Sequence, residues 1–209
     1  YIRVDQAHGG DLVRHLRCQK RRKKRTGRSD TRGQLRQQVR IDERPAVVDR
    51  RGRLGDWELD TIIGAGHQEA VVTLTERASR LTRMQHVQQR TAEGVSQAIQ
   101  NQLQPIQARV RTLTADNGKE FAQHRTIATA LNASFYFAHP YAAWERGTNE
   151  NTNGLIRQYL PKGSALSGLQ PTDIQRIMDR LNNRPRKCLQ YQTPNEVFFG
   201  EMIPVAVAS

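Results

Sequence analysis

From Trp57 to Phe137 the hydrophobic period of the chain changes in an order that few folds accept. Three β-like runs come first: Trp57 to Ile63, Glu69 to Thr75 and Leu81 to Val87. The breaks between them, "GAGHQ" and "ERASR", are short enough for hairpins, which makes the three strands antiparallel neighbours. Val95, Ile99 and Leu103 then repeat at helical spacing, and Pro105 stops the helix. A fourth strand, Val110 to Thr114, a helix from about Lys119 to Leu131, and a fifth strand, "SFYF" from Ser134, complete the run. Strands separated by helices return in parallel. The order β-β-β-α-β-α-β-α therefore predicts an α/β fold, a mixed five-stranded sheet with helices on both faces, in which the first and fourth strands are neighbours. A helix near Thr172 to Asn183 and a short one near Asn195 to Phe199 follow.

Charge divides the chain differently. Residues 1–53 hold 17 Lys/Arg against 6 Asp/Glu, whereas the remainder holds 16 against 14, together giving the net +13. We read 1–53 as a basic N-terminal arm and linker and 54–209 as the globular domain. The peak is "KRRKKRTGR" from Lys20, and Lys20, Arg21, Arg22, Lys23, Lys24 and Arg25 are candidates to track a nucleic-acid backbone by counterion release. A membrane surface fits less well, because no apolar helix face accompanies the charge. No apolar run approaches the ~18 residues of a spanning helix. Cys18 and Cys188 form no CxxC pair, so neither a disulfide scaffold nor a zinc site is expected and a reducing cytoplasm fits. The chain begins at Tyr1 rather than Met, and we read it as a piece of a longer protein.

Three carboxylates stand out. Asp60 lies within the first strand, in "GDWELDTIIG", and Asp116 directly follows the fourth, in "TLTADNGKEF". At strand ends of a mixed α/β sheet such groups meet where ligands collect. Glu150 lies in "WERGTNENTNGLIRQYLPKG". Its second half, from Gly154 to Leu160, reads as a helix held by Leu155, Ile156, Tyr159 and Leu160. Glu150 falls roughly opposite that stripe, free to project into a cleft among Asn149, Asn151 and Asn153. Three converging carboxylates in a basic protein suit divalent metal: Mg²⁺ takes oxygen ligands, and two ions ~4 Å apart clamp both oxygens of a phosphoryl transfer.

These blocks, with "LNNRPRKCLQYQTPNEVF", closely resemble the catalytic region of the IS30 family of insertion-sequence transposases, over about Tyr1 to Phe199. The resemblance implies a ribonuclease H-like, retroviral-integrase-type core and a DDE transposase that cuts DNA and transfers strands. It implies catalytic and metal-binding roles for Asp60, Asp116 and Glu150, using two Mg²⁺ with Mn²⁺ as a substitute. Thirty-three residues, positions 117 to 149, separate Asp116 from Glu150, as in the family; Glu145 leaves only positions 117 to 144 and is set aside. The implied partners are transposon ends and target DNA, in a homo-oligomer near the bacterial nucleoid, without a membrane. Trp144, Arg146, Asn149, Arg157 and Lys162 are candidate DNA contacts around the glutamate. "NNRPRKC", from Asn182 to Cys188, is a second basic spot without an assigned role.

The sequence departs from the family in three places. Leu59 replaces a usual Gly and threatens to crowd Asp60, "SALSGLQ" (Ser164 to Gln170) replaces a different stretch, and the helix-turn-helix region that the resemblance leads us to expect lies upstream of Tyr1, outside this sequence. Two other readings stay open: an inactive DNA-binding remnant, or a nuclease that cuts without joining.

Overall fold

The computed structural model describes residues 2–12, 35, 37–140 and 142–200. Lys20 to Arg25 lie outside them. The chain divides into two compact units, Tyr1–Gln34 and Leu35–Ser209. Of the first, a short helix α1 (Ile2–Ala7) is described. The second holds β1 (Asp56–Ile63), β2 (Ala70–Glu76), β3 (Thr82–Val87), β4 (Thr112–Ala115) and β5 (Ser134–Phe137), in the sheet order β3-β2-β1-β4-β5. β1, β2 and β3 pair antiparallel, and β4 joins β1, and β5 joins β4, in parallel. The mixed five-stranded sheet expected from the order of periods is thus observed.

Helices α2 (Ala46–Asp49), α3 (Ala92–Leu103), α4 (His124–Leu131), α5 (Gly147–Ile156), α6 (Pro171–Asn182) and α7 (Pro194–Phe199) complete the described unit. The single helix expected from Lys119 to Leu131 is a 3₁₀ turn, Lys119–Phe121, followed by α4. The segment 35–53 does not behave as linker. Phe137 N–H donates to Val39 O, which covers the free edge of β5. Val48 is fully buried, and Arg44 reaches through to donate to Thr114 Oγ1 at 2.9 Å.

Side chains alternate along β1, so its two faces belong to different layers. Trp57 and Leu59 enter a core with residues of α3, α4 and α7, where Trp57 meets Phe198 edge to face at 5.7 Å. Leu59 therefore packs away from Asp60 and does not crowd it. Ile62 enters the opposite core, with Ile156 of α5 and Ile174, Ile177, Met178 and Leu181 of α6. Leu166, in the stretch that departs from the family, plugs this second core. A Cβ at Gly64 would lie 2.8 Å from Leu166 Cγ, so the bare backbone there is required by packing.

Candidate active site

The parallel register sets the site. Glu58 lies opposite Thr114, so two residues on, at the carboxyl end of each strand, Asp60 and Asp116 stand side by side. Both carboxylates are part-exposed, at 25% and 41%. Asp60 Oδ1 accepts Thr61 N–H at 2.8 Å and Oδ2 accepts Asn153 Nδ2 at 2.8 Å. Asp116 Oδ1 accepts Gly118 N–H at 2.9 Å, which closes the Asp-Asn-Gly turn. A Cβ at Gly118 would come within 2.9 Å of that same oxygen, so glycine permits the close approach.

Two neighbouring anions need a cation, and Arg146 supplies it. Its Nη2 donates to Asp116 Oδ2 at 3.2 Å, its Nη1 to Leu59 O at 3.2 Å, and Nη1 lies 3.7 Å from Asp60 Oδ2. Burial raises the Asp60 carboxyl above its ordinary pKa; Arg146 pulls it down and Asp116 pushes it further up. Arg146 was expected at DNA phosphates; here it is the counter-ion of both aspartates. The pair accepts a positive charge and offers hard oxygen donors, which is the donor chemistry that Mg²⁺ requires.

Glu150 stands apart. It is exposed on α5, one turn before Asn153, and its side chain makes no hydrogen bond or ion pair. Among the described residues, no three His, Cys, Asp or Glu side chains are grouped closely enough to hold a metal ion. The helix also differs from expectation: it runs from Gly147 to Ile156, so the polar half is helical and Tyr159 and Leu160 lie beyond its end. That half is not projected into a cleft. Thr148, Asn149 and Thr152 are buried. Asn149, a candidate DNA contact, is 1% exposed, and its N–H donates to Glu58 Oε2 at 2.8 Å. Arg157 caps the helix and reaches Leu160 O and Pro161 O, both at 3.4 Å. Lys162 is exposed, and Trp144 is 76% exposed in the 3₁₀ turn Ala143–Arg146 that carries Arg146.

Two features escaped sequence reasoning. Glu58, two residues before Asp60 and on the same face, is fully buried and salt-bridged to Arg77. Period-two spacing alone would have placed it beside Asp60. Glu120 accepts from Thr61 Oγ1 at 3.1 Å and lies 3.7 Å from Arg90; only the tertiary fold brings it there. Glu145 is tied by His139, with Nδ1 to Oε1 at 2.9 Å and the His139 N–H to Oε2 at 2.8 Å. That leaves it unavailable as a third ligand.

The chain is 46% identical to the transposase of insertion sequence IS4351 from Bacteroides fragilis over 199 residues, 95% of this chain. It is 41% identical to the IS1086 transposase of Cupriavidus metallidurans over 90% of this chain, and 38% identical to the IS30A transposase InsI of Escherichia coli K12 over 75%. The chain is a relative of the IS30 transposases. It covers 61%, 57% and 41% of those three proteins, about half their length. No model of a known protein family matches it. Among solved structures, the catalytic core of BIV integrase superposes with a TM-score of 0.51 at 22% identity, covering 69% of this chain and 93% of that one. The HTLV-2 integrase catalytic core, solved with magnesium, superposes at 0.54 and 15% identity, covering 70% and 97%. The fold is therefore that of ribonuclease H-like integrase cores. No helix among the described residues is long and apolar enough to cross a membrane.

Proposed function

We propose that this chain is the catalytic region of a DDE transposase, which cuts DNA and transfers strands in the movement of an insertion sequence. The observation that carries the reading is the pair Asp60 and Asp116, side by side at the carboxyl ends of parallel β1 and β4 and bridged by one cation, Arg146. Similarity to the IS4351 transposase over 95% of the chain supports it.

In this reading Asp60, Asp116 and Glu150 would hold Mg²⁺, two ions per site, with Mn²⁺ as a substitute. When bound, the ions stabilise the entering and leaving oxygens of an in-line phosphodiester displacement. The chain's own groups do the rest. Asn153 and Thr61 N–H orient the Asp60 carboxylate through one hydrogen bond to each oxygen. Gly118 N–H fixes Asp116. Arg146 neutralises the pair, a charge that a metal ion held there would supply in its place. Glu150, exposed on the same helix as Asn153, would be the third ligand. Trp144, exposed beside Arg146, would stack on an unpaired base. Water, and then a DNA 3′-hydroxyl, is the nucleophile, and no side chain forms a covalent intermediate. The partners are transposon ends and target DNA, engaged by an oligomer because two ends must be paired. The arm at Lys20 to Arg25 holds the backbone without reading sequence.

The test is nicking and strand joining of a supercoiled plasmid with Mg²⁺ or Mn²⁺, by the wild type and by Asp60→Asn and Asp116→Asn. Metal-dependent nicking by the wild type, lost in both variants, is expected. Joined products distinguish a transposase from a nuclease that only cuts. Nicking that persists in both variants would refute the assignment.

A further inference from the structure

The basic spot from Asn182 to Cys188 has no part in the site above, yet the fold places it deliberately. Asn182, at the end of α6, clamps the start of β3: Thr82 N–H donates to Asn182 Oδ1 at 2.9 Å, and Asn182 Nδ2 donates to Thr82 O at 2.8 Å. This brings Arg184 and Arg186 beside Arg80, in the β2–β3 turn. Arg80 Nη1 in turn donates to Thr148 Oγ1 at 2.9 Å, and Arg51 Nη2 approaches the same hydroxyl at 3.4 Å. Arg51 and Arg80 thus meet at the first turn of α5, and Arg186, flanked by Arg184, lies close enough to Arg80 to feel its charge.

Among the described residues none of the four is ion-paired with a carboxylate. The nearest acid, Glu58, is buried and already held by Arg77 and Asn149 N–H. Burial and neighbouring guanidiniums both disfavour the charge on two of them. Arg51 is lowered by burial and then by Arg80 and Arg77, and Arg186 by burial and then by Arg184 and Arg80. Arg186 Nε is buried without an acceptor. Arg51 and Arg80 both sit in the left-handed region, at φ 53° and 65°, where side-chain-bearing residues are uncommon. A fold that holds unpaired cations together, two of them on strained backbone, lacks an anion. Planar guanidinium forks match phosphate oxygens in pairs.

We propose that Arg51, Arg80, Arg184 and Arg186 form a binding site for a DNA backbone phosphate, separate from Asp60 and Asp116. The inference rests on the transposase reading and adds to it a second point of contact with the DNA backbone.

The experiment is fluorescence anisotropy of a labelled duplex bound by the full chain, from about 50 to about 200 mM salt. It compares the wild type with R80Q/R186Q and with R51Q/R184Q, whose two positions are exposed and so spare the fold. R176Q, an exposed arginine paired with Asp173, is the control. Each double variant is expected to bind several-fold more weakly and to lower the slope of log K against log salt by about two. R176Q should match the wild type. Wild-type slopes in both double variants overturn the phosphate site, while plasmid nicking that still depends on Asp60 leaves the transposase reading standing. No DNA binding by the wild type overturns both.

Discussion

Glu58 and Asp60 lie two residues apart on one strand, on one face, under one helix, and their surroundings are opposite. Glu58 is sealed: 0% exposed, salt-bridged to Arg77, and capped by Asn149 N–H. Asp60 is open, one quarter exposed, and its nearest cation stands off at 3.7 Å. A carboxylate whose partners are buried and bonded at full strength is part of the scaffold. One whose cation is loosely placed and replaceable is available for chemistry. Glu145, tied by His139, belongs with Glu58; Asp116 and Glu150 belong with Asp60.

Breaking the sealed pair has the largest expected effect. Glu58→Ala leaves Arg77 as an unpaired buried charge and strips Asn149 N–H of its acceptor, so unfolding by denaturant should show a loss of about 3–5 kcal/mol. A loss under about 1 kcal/mol would erase the distinction between the two carboxylates. Asp60→Asn should do the reverse: stability within about 1 kcal/mol of wild type, as for positions outside the buried networks, with metal-dependent nicking abolished. Arg146→Gln sharpens the open side. It leaves Asp60 and Asp116 facing each other without a cation, so the metal-free protein should lose about 1–2 kcal/mol. Added Mg²⁺ should then raise its melting temperature more than that of the wild type, because a ligand of the native state stabilises by mass action. Equal shifts would mean that Arg146 does not share the metal's place.

Sequence made the scaffold legible because hairpin breaks and crossover helices dictate strand order, and strand order sets Asp60 beside Asp116. The helix around Glu150 was placed too late in the chain for a physical reason. Gly147, Thr148, Asn149, Asn151 and Asn153 are poor helix formers, and their helix is held by tertiary bonds: Thr148 to Arg80, Asn149 to Glu58, Asn153 to Asp60. Arg146 could be named as functional from its neighbourhood. Its partners, 86 and 30 positions away in sequence, appear only once the sheet is built.

The smallest expected effect is at the His139 clasp. The Glu145 hydrogen bond, and then Asp42, raise the His139 pKa above 6.5. A raised folded-state pKa stabilises fully below the unfolded value and fades as pH rises through the folded one. Wild-type stability should therefore decline as pH rises from about 6.5, and His139→Gln should flatten that slope in melts across this range. An unchanged slope would show that the clasp contributes nothing.

The three-carboxylate site is tested most directly at Glu150, the one carboxylate of the three that the fold leaves apart. The direct measurement is nicking of supercoiled plasmid in Mg²⁺ or Mn²⁺ by wild type and Glu150→Gln, with duplex binding measured in parallel. The account predicts that nicking is lost while DNA affinity is kept. Equal nicking by both proteins would contradict it and leave Asp60 and Asp116 without their third partner.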